Sequence, residues 1–158
     1  MREYIKTCIQ DSIDTKRRLY ENEELLDKIE SAATACITAY KAGGKVLACG
    51  NGGSASDAQH LVGELVGRYK IERFGIAAIA LNSNVAVMTA LGNDYSYDEI
   101  FSKQVRALGK KSDVLFGIST SGNSANIVKA FEQAKKQGIY TVSLTGEGGG
   151  ILKEISDC

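Results

Sequence analysis

The sequence predicts an α/β protein, a three-layer, doubly wound parallel sheet preceded by two N-terminal helices. Three observations lead there. From Lys45 onward, short apolar runs alternate with stretches of helical period, the rhythm of a parallel sheet with right-handed crossovers and helices on both faces. Ahead of Lys45, apolar residues recur at helical spacing almost throughout. The 158 residues suffice for one domain that buries about 70% of its unfolded surface.

Taken in order, Tyr4, Ile5, Cys8, Ile9, Ile13 and Tyr20 fall mostly on one stripe of a first helix. Asn22 then offers an N-cap side chain, with Glu23 and Glu24 in the turn where the helix dipole favours negative charge. Leu25, Leu26, Ile29, Ala33, Cys36, Ile37 and Tyr40 continue as the apolar face of a second helix, and Gly43-Gly44 stops it. Two such helices must bury their faces on the sheet or on another subunit. Lys45–Cys49 reads as the first strand, followed by a Gly-rich turn and a helix from about Ser56 to Val66. Ile76–Leu81 is the second strand, with helices at about Val85–Leu91 and Asp98–Leu108. Asp113–Ile118 is the third strand, Ser124–Lys136 its helix, and Tyr140–Leu144 the fourth strand. A short helical piece, Ile151–Ile155, closes the chain. The expectation is a single domain over residues 1–158, with 1–43 a helical pair, cut short before a final strand and helix.

Composition excludes several classes. Apolar residues are 44% and charged ones 24% of the chain, a globular mixture rather than a disordered one. Nineteen basic residues against nineteen acidic ones supply no basic field, so direct nucleic-acid binding is not expected. No apolar run approaches the ~20 residues of a membrane span, and the N-terminus lacks the apolar core of a signal peptide. Cys8, Cys36, Cys49 and Cys158 lack any C-x-x-C spacing, so a disulfide scaffold or zinc knuckle is not expected and reduced, cytoplasmic thiols are. Seventeen Gly and no Pro signal that backbone freedom is wanted somewhere specific.

Ligands of open parallel sheets bind at the carboxyl ends of the strands, and two polar turns stand there. The second, Ser119-Thr120-Ser121-Gly122-Asn123-Ser124, runs straight into a helix. Hydroxyls and free N–H groups converging on a helix N-terminus can hold a phosphate without a lysine. The first, Gly50-Asn51-Gly52-Gly53-Ser54-Ala55-Ser56-Asp57, fits neither the dinucleotide fingerprint nor the P-loop. Its glycines let backbone approach a polyol, with Asn51 and Ser54 adding side-chain contacts. The plainer alternative is a pair of ordinary βα turns with Ser caps. Downstream, His60 and Glu64 share a helical face. A Glu at the mouth of such a cleft can serve as a general base. His60 reads as an acid, a metal ligand or half of a surface pair. Tyr69, Tyr95 and Tyr97, near the Gly92-Asn93-Asp94 turn, read as packing residues first and cleft-lining residues second, and Cys36 and Cys49 as small buried hydrophobes.

At these same positions the chain resembles the sugar isomerase (SIS) domain family, and within it the phosphoheptose isomerases. The matching pieces are Gly44 to Ser54, Asp57-Ala58-Gln59-His60 with Glu64 and Gly67-Arg68-Tyr69, Gly92-Asn93-Asp94 with Ile100-Phe101-Ser102, Gly117 to Ser124, and Leu144-Thr145-Gly146. The resemblance implies isomerisation of sedoheptulose 7-phosphate to D-glycero-D-manno-heptose 7-phosphate through an enediol, the first step of bacterial ADP- or GDP-heptose synthesis. It implies a homotetramer with active sites near subunit boundaries. It implies that Ser119, Thr120, Ser121 and Ser124 hold the phosphate, that Asn51, Gly52, Gly53, Ser54, Asn93 and Asp94 line the sugar, and that Arg68 assists from the cleft edge or from a neighbouring subunit. Glu64 would be one acid/base group. Some relatives carry zinc, which would make His60 and Glu64 ligands with the others outside this chain. Relatives take their second acid/base from a His on a C-terminal helix, whereas the one His here is His60. The alternative within the family is a non-catalytic binding protein, either a scaffold for a replication initiator or a phosphosugar sensor.

Overall fold

The computed structural model describes all residues from Met1 to Cys158, in two compact units, Met1–Thr34 and Ala35–Cys158. The first contains helix α1 (Arg2–Tyr20) and the start of α2 (Glu23–Lys41). Asn22 caps α2 as its side-chain chemistry dictates, its Oδ1 accepting from the Leu25 N–H at 3.0 Å. Helix α1 buries none of its residues, and α2 buries Ala39 alone. The stripe of Tyr4, Ile5, Ile9 and Ile13 therefore faces outward in the single chain.

The second unit is built on four parallel strands, β1 (Val46–Gly50), β2 (Ala78–Ala80), β3 (Val114–Ser119) and β4 (Tyr140–Thr145), in the order β2-β1-β3-β4. Val46 pairs with Ala78 on one side and Val114 on the other, and Val114 pairs with Tyr140. The chain steps outward from β1 to β2 through α3 (Gly53–Val66). It then recrosses to β3 through α4 (Val85–Asp94), a 3-10 turn (Tyr97–Glu99) and α5 (Ile100–Leu108), and goes on to β4 through α6 (Ala125–Lys136). Right-handed crossovers running in opposite directions put their helices on opposite faces, which gives the three expected layers. The strand order reverses between β1 and β3, so the loops after these strands flank the crevice where such sheets take ligands.

The core joins Leu47, Cys49, Phe101, Val105, Leu115, Ile127, Phe131 and Leu152. Gly117 is required there, because a Cβ on it would press on Phe131 Cζ at 2.7 Å and Ile127 Cγ2 at 2.8 Å. At the other end of the sheet the buried Asp113 carboxylate accepts from the Lys45 N–H (2.9 Å), the Lys45 ammonium (2.6 Å) and the Lys110 N–H (2.8 Å). A short helix, α7 (Gly150–Ile155), returns the chain to β4. There the Ser143 N–H donates to the Cys158 carbonyl at 2.8 Å and the Cys158 N–H to Thr141 at 3.0 Å.

Several boundaries depart from the sequence reading. Helix α3 starts at Gly53 rather than Ser56, because Gly52 makes the turn at φ +56° and the helix follows at once. Strand β2 is confined to Ala78–Ala80, since the Ile76 N–H is spent on the Leu65 carbonyl of α3. Helix α4 runs on to Asp94, so Asn93 and Asp94 lie in its last turn instead of in a loop. Cys49 is buried as expected, and burial pushes its thiol pKa up, away from reactivity. Cys36 is only half-buried.

Candidate functional site

The Ser-rich loop is shaped by its own hydroxyls before any ligand is considered. Gly122 turns it at φ +66°, its N–H donating back to the Ser119 carbonyl at 2.9 Å. The Ser119 and Ser124 hydroxyls share a hydrogen bond of 2.9 Å, and Ser121 Oγ accepts from the Asn123 N–H at 3.2 Å. The loop after β4 braces it from outside: the Gly146 N–H donates to the Thr120 carbonyl (3.0 Å), the Leu152 N–H to Gly122 (3.0 Å), and the Ile151 N–H to Asn123 Oδ1 (2.9 Å). These bonds leave the first turn of α6, with Ser124 as its N-cap residue, opening on the crevice. An anion there meets hydroxyl donors and the positive end of the helix dipole together.

Across the crevice, Gly50 is pressed against Ser54, whose carbonyl carbon would meet an added Cβ at 2.5 Å. Asn51, Gly52, Gly53 and Ser54 thus wrap tightly into the start of α3, so a second helix N-terminus opens beside the first. The two loops are bridged by side chains. Asn51 Nδ2 donates to Asn126 Oδ1 at 2.9 Å, Asn126 Nδ2 donates back to Asn51 Oδ1 at 2.9 Å, and Tyr97 OH donates to the same Oδ1 at 3.1 Å. Tyr97 thus bonds Asn51, a candidate sugar-binding residue, through its hydroxyl. Asn126, which no spacing rule singled out, is its buried counterpart. Asp94 lies three residues before Tyr97 with its carboxylate accepting from Asn93 Nδ2 at 3.0 Å.

His60, Glu64 and Arg68 form a separate group. Glu64 stands ten residues beyond Ser54 on α3, which is about 15 Å along a helix axis. It is in the last turn of the helix. His60 Nε2 lies 3.2 Å from Glu64 Oε1, with their side chains 77% and 37% exposed. Arg73 folds back over this end of α3, donating to the carbonyls of Glu64 (2.6 Å), Leu65 (2.9 Å), Gly67 (3.2 Å) and Phe74 (3.0 Å). Arg68 pairs with Glu72 at 3.3 Å on the surface. His60 and Glu64 offer one nitrogen and one oxygen, half of a tetrahedral zinc set, and no group of three or more His, Cys, Asp or Glu side chains gathers anywhere in the chain. The residues present do not fit a zinc site by themselves.

The SIS domain family profile matches residues 9–146. The chain is 48% identical over 157 residues to the phosphoheptose isomerase of Sulfurimonas denitrificans, covering 99% of this chain and 80% of that protein. It is 53% identical over 135 residues to the phosphoheptose isomerase of Helicobacter pylori, covering 85% and 70%. Among solved structures it is similar to the phosphoheptose isomerase of Neisseria gonorrhoeae, with a TM-score of 0.91, 41% identity, and coverage of 99% of this chain and 80% of that one. The enzyme of Francisella tularensis gives a TM-score of 0.92 at 40% identity, covering 98% and 80%. With its crevice between two helix N-termini and its profile match over most of its length, the chain belongs to the SIS domain family, in the phosphoheptose isomerase group.

Proposed function

We propose that this protein is an aldose–ketose isomerase that converts sedoheptulose 7-phosphate to D-glycero-D-manno-heptose 7-phosphate. The observation that carries the reading is the Ser-rich loop at the start of α6 lying beside a Gly-rich loop at the strand-order reversal, in a chain 48% identical to an isomerase of that name. Ser119, Thr120, Ser121 and Ser124 bind the phosphate. Gly52 and Gly53 bring backbone close to the sugar, where Asn51, Ser54, Asn93 and Asp94 meet its hydroxyls, and Arg68 adds positive charge at the edge of a neighbouring copy's cleft. A carboxylate base takes the proton from C1 of the ketose, giving the enediol, and returns it to C2 while the O1 proton passes to O2; no redox partner is consumed. Glu64 is the carboxylate assigned to this role.

The proposal includes a homotetramer. A helix pair with an outward apolar stripe gains most by covering it with the same stripe of another copy. A base that is 37% exposed and about 15 Å down α3 from Ser54 serves best in a cleft that a neighbouring copy completes.

Purified protein incubated with sedoheptulose 7-phosphate is expected to form the aldose phosphate, and Glu64→Gln to lower kcat by about 10²–10⁴-fold. Absence of turnover in the full-length protein, or turnover that survives Glu64→Gln, would sink the assignment.

A further inference from the structure

Past Gly50 and Ile118 the β1–β3 ladder stops. The Asn51–Asn126 amide pair, with Tyr97, bridges the two sides beyond it. An amide oxygen has two lone pairs and its nitrogen two hydrogens. Asn51 Oδ1 is therefore filled by Asn126 and Tyr97, and Nδ2 keeps a single hydrogen uncommitted. Flipping the Asn51 amide alone would turn N–H against N–H and oxygen against oxygen, forfeiting both bonds to Asn126. Asn126 is 3% exposed whereas Tyr97 is 59% exposed, which makes the clamp a buried post with a latch at the rim. Neither residue bonds the Ser119–Ser124 hydroxyl pair.

We propose that Asn126 and Tyr97 are positioning residues of the sugar-binding loop. Acting through Asn51, they hold residues 50–54 at a fixed separation from the phosphate loop and aim the one remaining N–H of Asn51 at a ligand oxygen. The proposal rests on the site being a phosphosugar site, but not on turnover. Its signature is that sugar recognition falls while phosphate recognition does not.

Calorimetric titration with sedoheptulose 7-phosphate and, separately, with inorganic phosphate reads this. Asn126→Ala should weaken the sugar phosphate on the order of tenfold and leave inorganic phosphate within about twofold. Tyr97→Phe should weaken the sugar phosphate by a smaller factor in the same direction. In an Asn51→Ala background neither change should weaken it further. Unchanged sugar-phosphate affinity in Tyr97→Phe, equal losses for both ligands, or full additivity with Asn51→Ala would each overturn the proposal. Tyr97→Phe removes only an exposed hydroxyl, so it decides the matter even if Asn126→Ala fails to fold. A protein that binds the sugar phosphate without isomerising it sinks the enzyme assignment, and the affinity pattern then decides this proposal alone.

Discussion

At the scale of single residues, stability and function depend on different side chains. Asp113 has no exposed side-chain surface and accepts three hydrogen bonds, two from Lys45 and one from Lys110. Removing the carboxylate strands the Lys45 ammonium, 17% exposed, together with two N–H groups. Asp113→Ala should cost about 3 kcal/mol, and thermal denaturation should show Tm falling by about 10 °C. A change within a degree would mean that water replaces the lost partner. Glu64 is the opposite case: its side chain hydrogen-bonds His60 at a partly exposed position, and Gln keeps its size, so Glu64→Gln should remove turnover while leaving Tm nearly unchanged.

Between elements, the 3-10 turn is tied to α6 by charge. The Lys129 ammonium donates to Glu99 Oε1 at 2.8 Å and the Ser102 hydroxyl to Oε2 at 2.7 Å. The Lys129 bond, then the Ser102 bond, holds the Glu99 pKa below its ordinary 4.5. The same pairing raises Lys129 above its ordinary 10.5. A depressed carboxylate stabilises the fold fully above its unfolded pKa, and that contribution fades as pH falls through the folded one. A raised ammonium contributes below its unfolded pKa and fades as pH rises through the folded one. The pair therefore works across the neutral range. Glu99→Gln should lower Tm at pH 7, with the difference from the parent shrinking towards pH 3 in calorimetric scans. An equal difference at both pH values would show that the ion pair contributes nothing.

For the whole molecule, the consequence of interest is assembly. If a neighbour completes each cleft, Glu64→Gln chains and Ser121→Ala chains, each inactive alone, should regain part of the activity when unfolded and refolded together. Light scattering on the parent protein should give four times the chain mass. Failure to complement, in a mixture shown by mass to contain both chains, would mean that Glu64 serves its own chain's cleft. No helix here is long and apolar enough to cross a membrane.

The alternation of apolar runs and helical periods was sufficient for the layered fold, because burial on a parallel sheet imposes that grammar locally. Asn22 as a cap and the Ser-rich loop leading into α6 were likewise legible, since a cap and a helix N-terminus are contiguous in sequence. The strand order β2-β1-β3-β4 was not: it depends on which strands pair across tens of residues. That order decides that Gly50 and Ser119 lie side by side. It brings Asn126 and Tyr97 onto Asn51, 75 and 46 residues away in sequence, and no periodicity could signal a contact of that range. The His60–Glu64 contact, four residues apart on α3, was legible from helical spacing alone. Local chemistry is written in neighbouring residues, whereas the meeting of distant ones is settled only when the sheet closes.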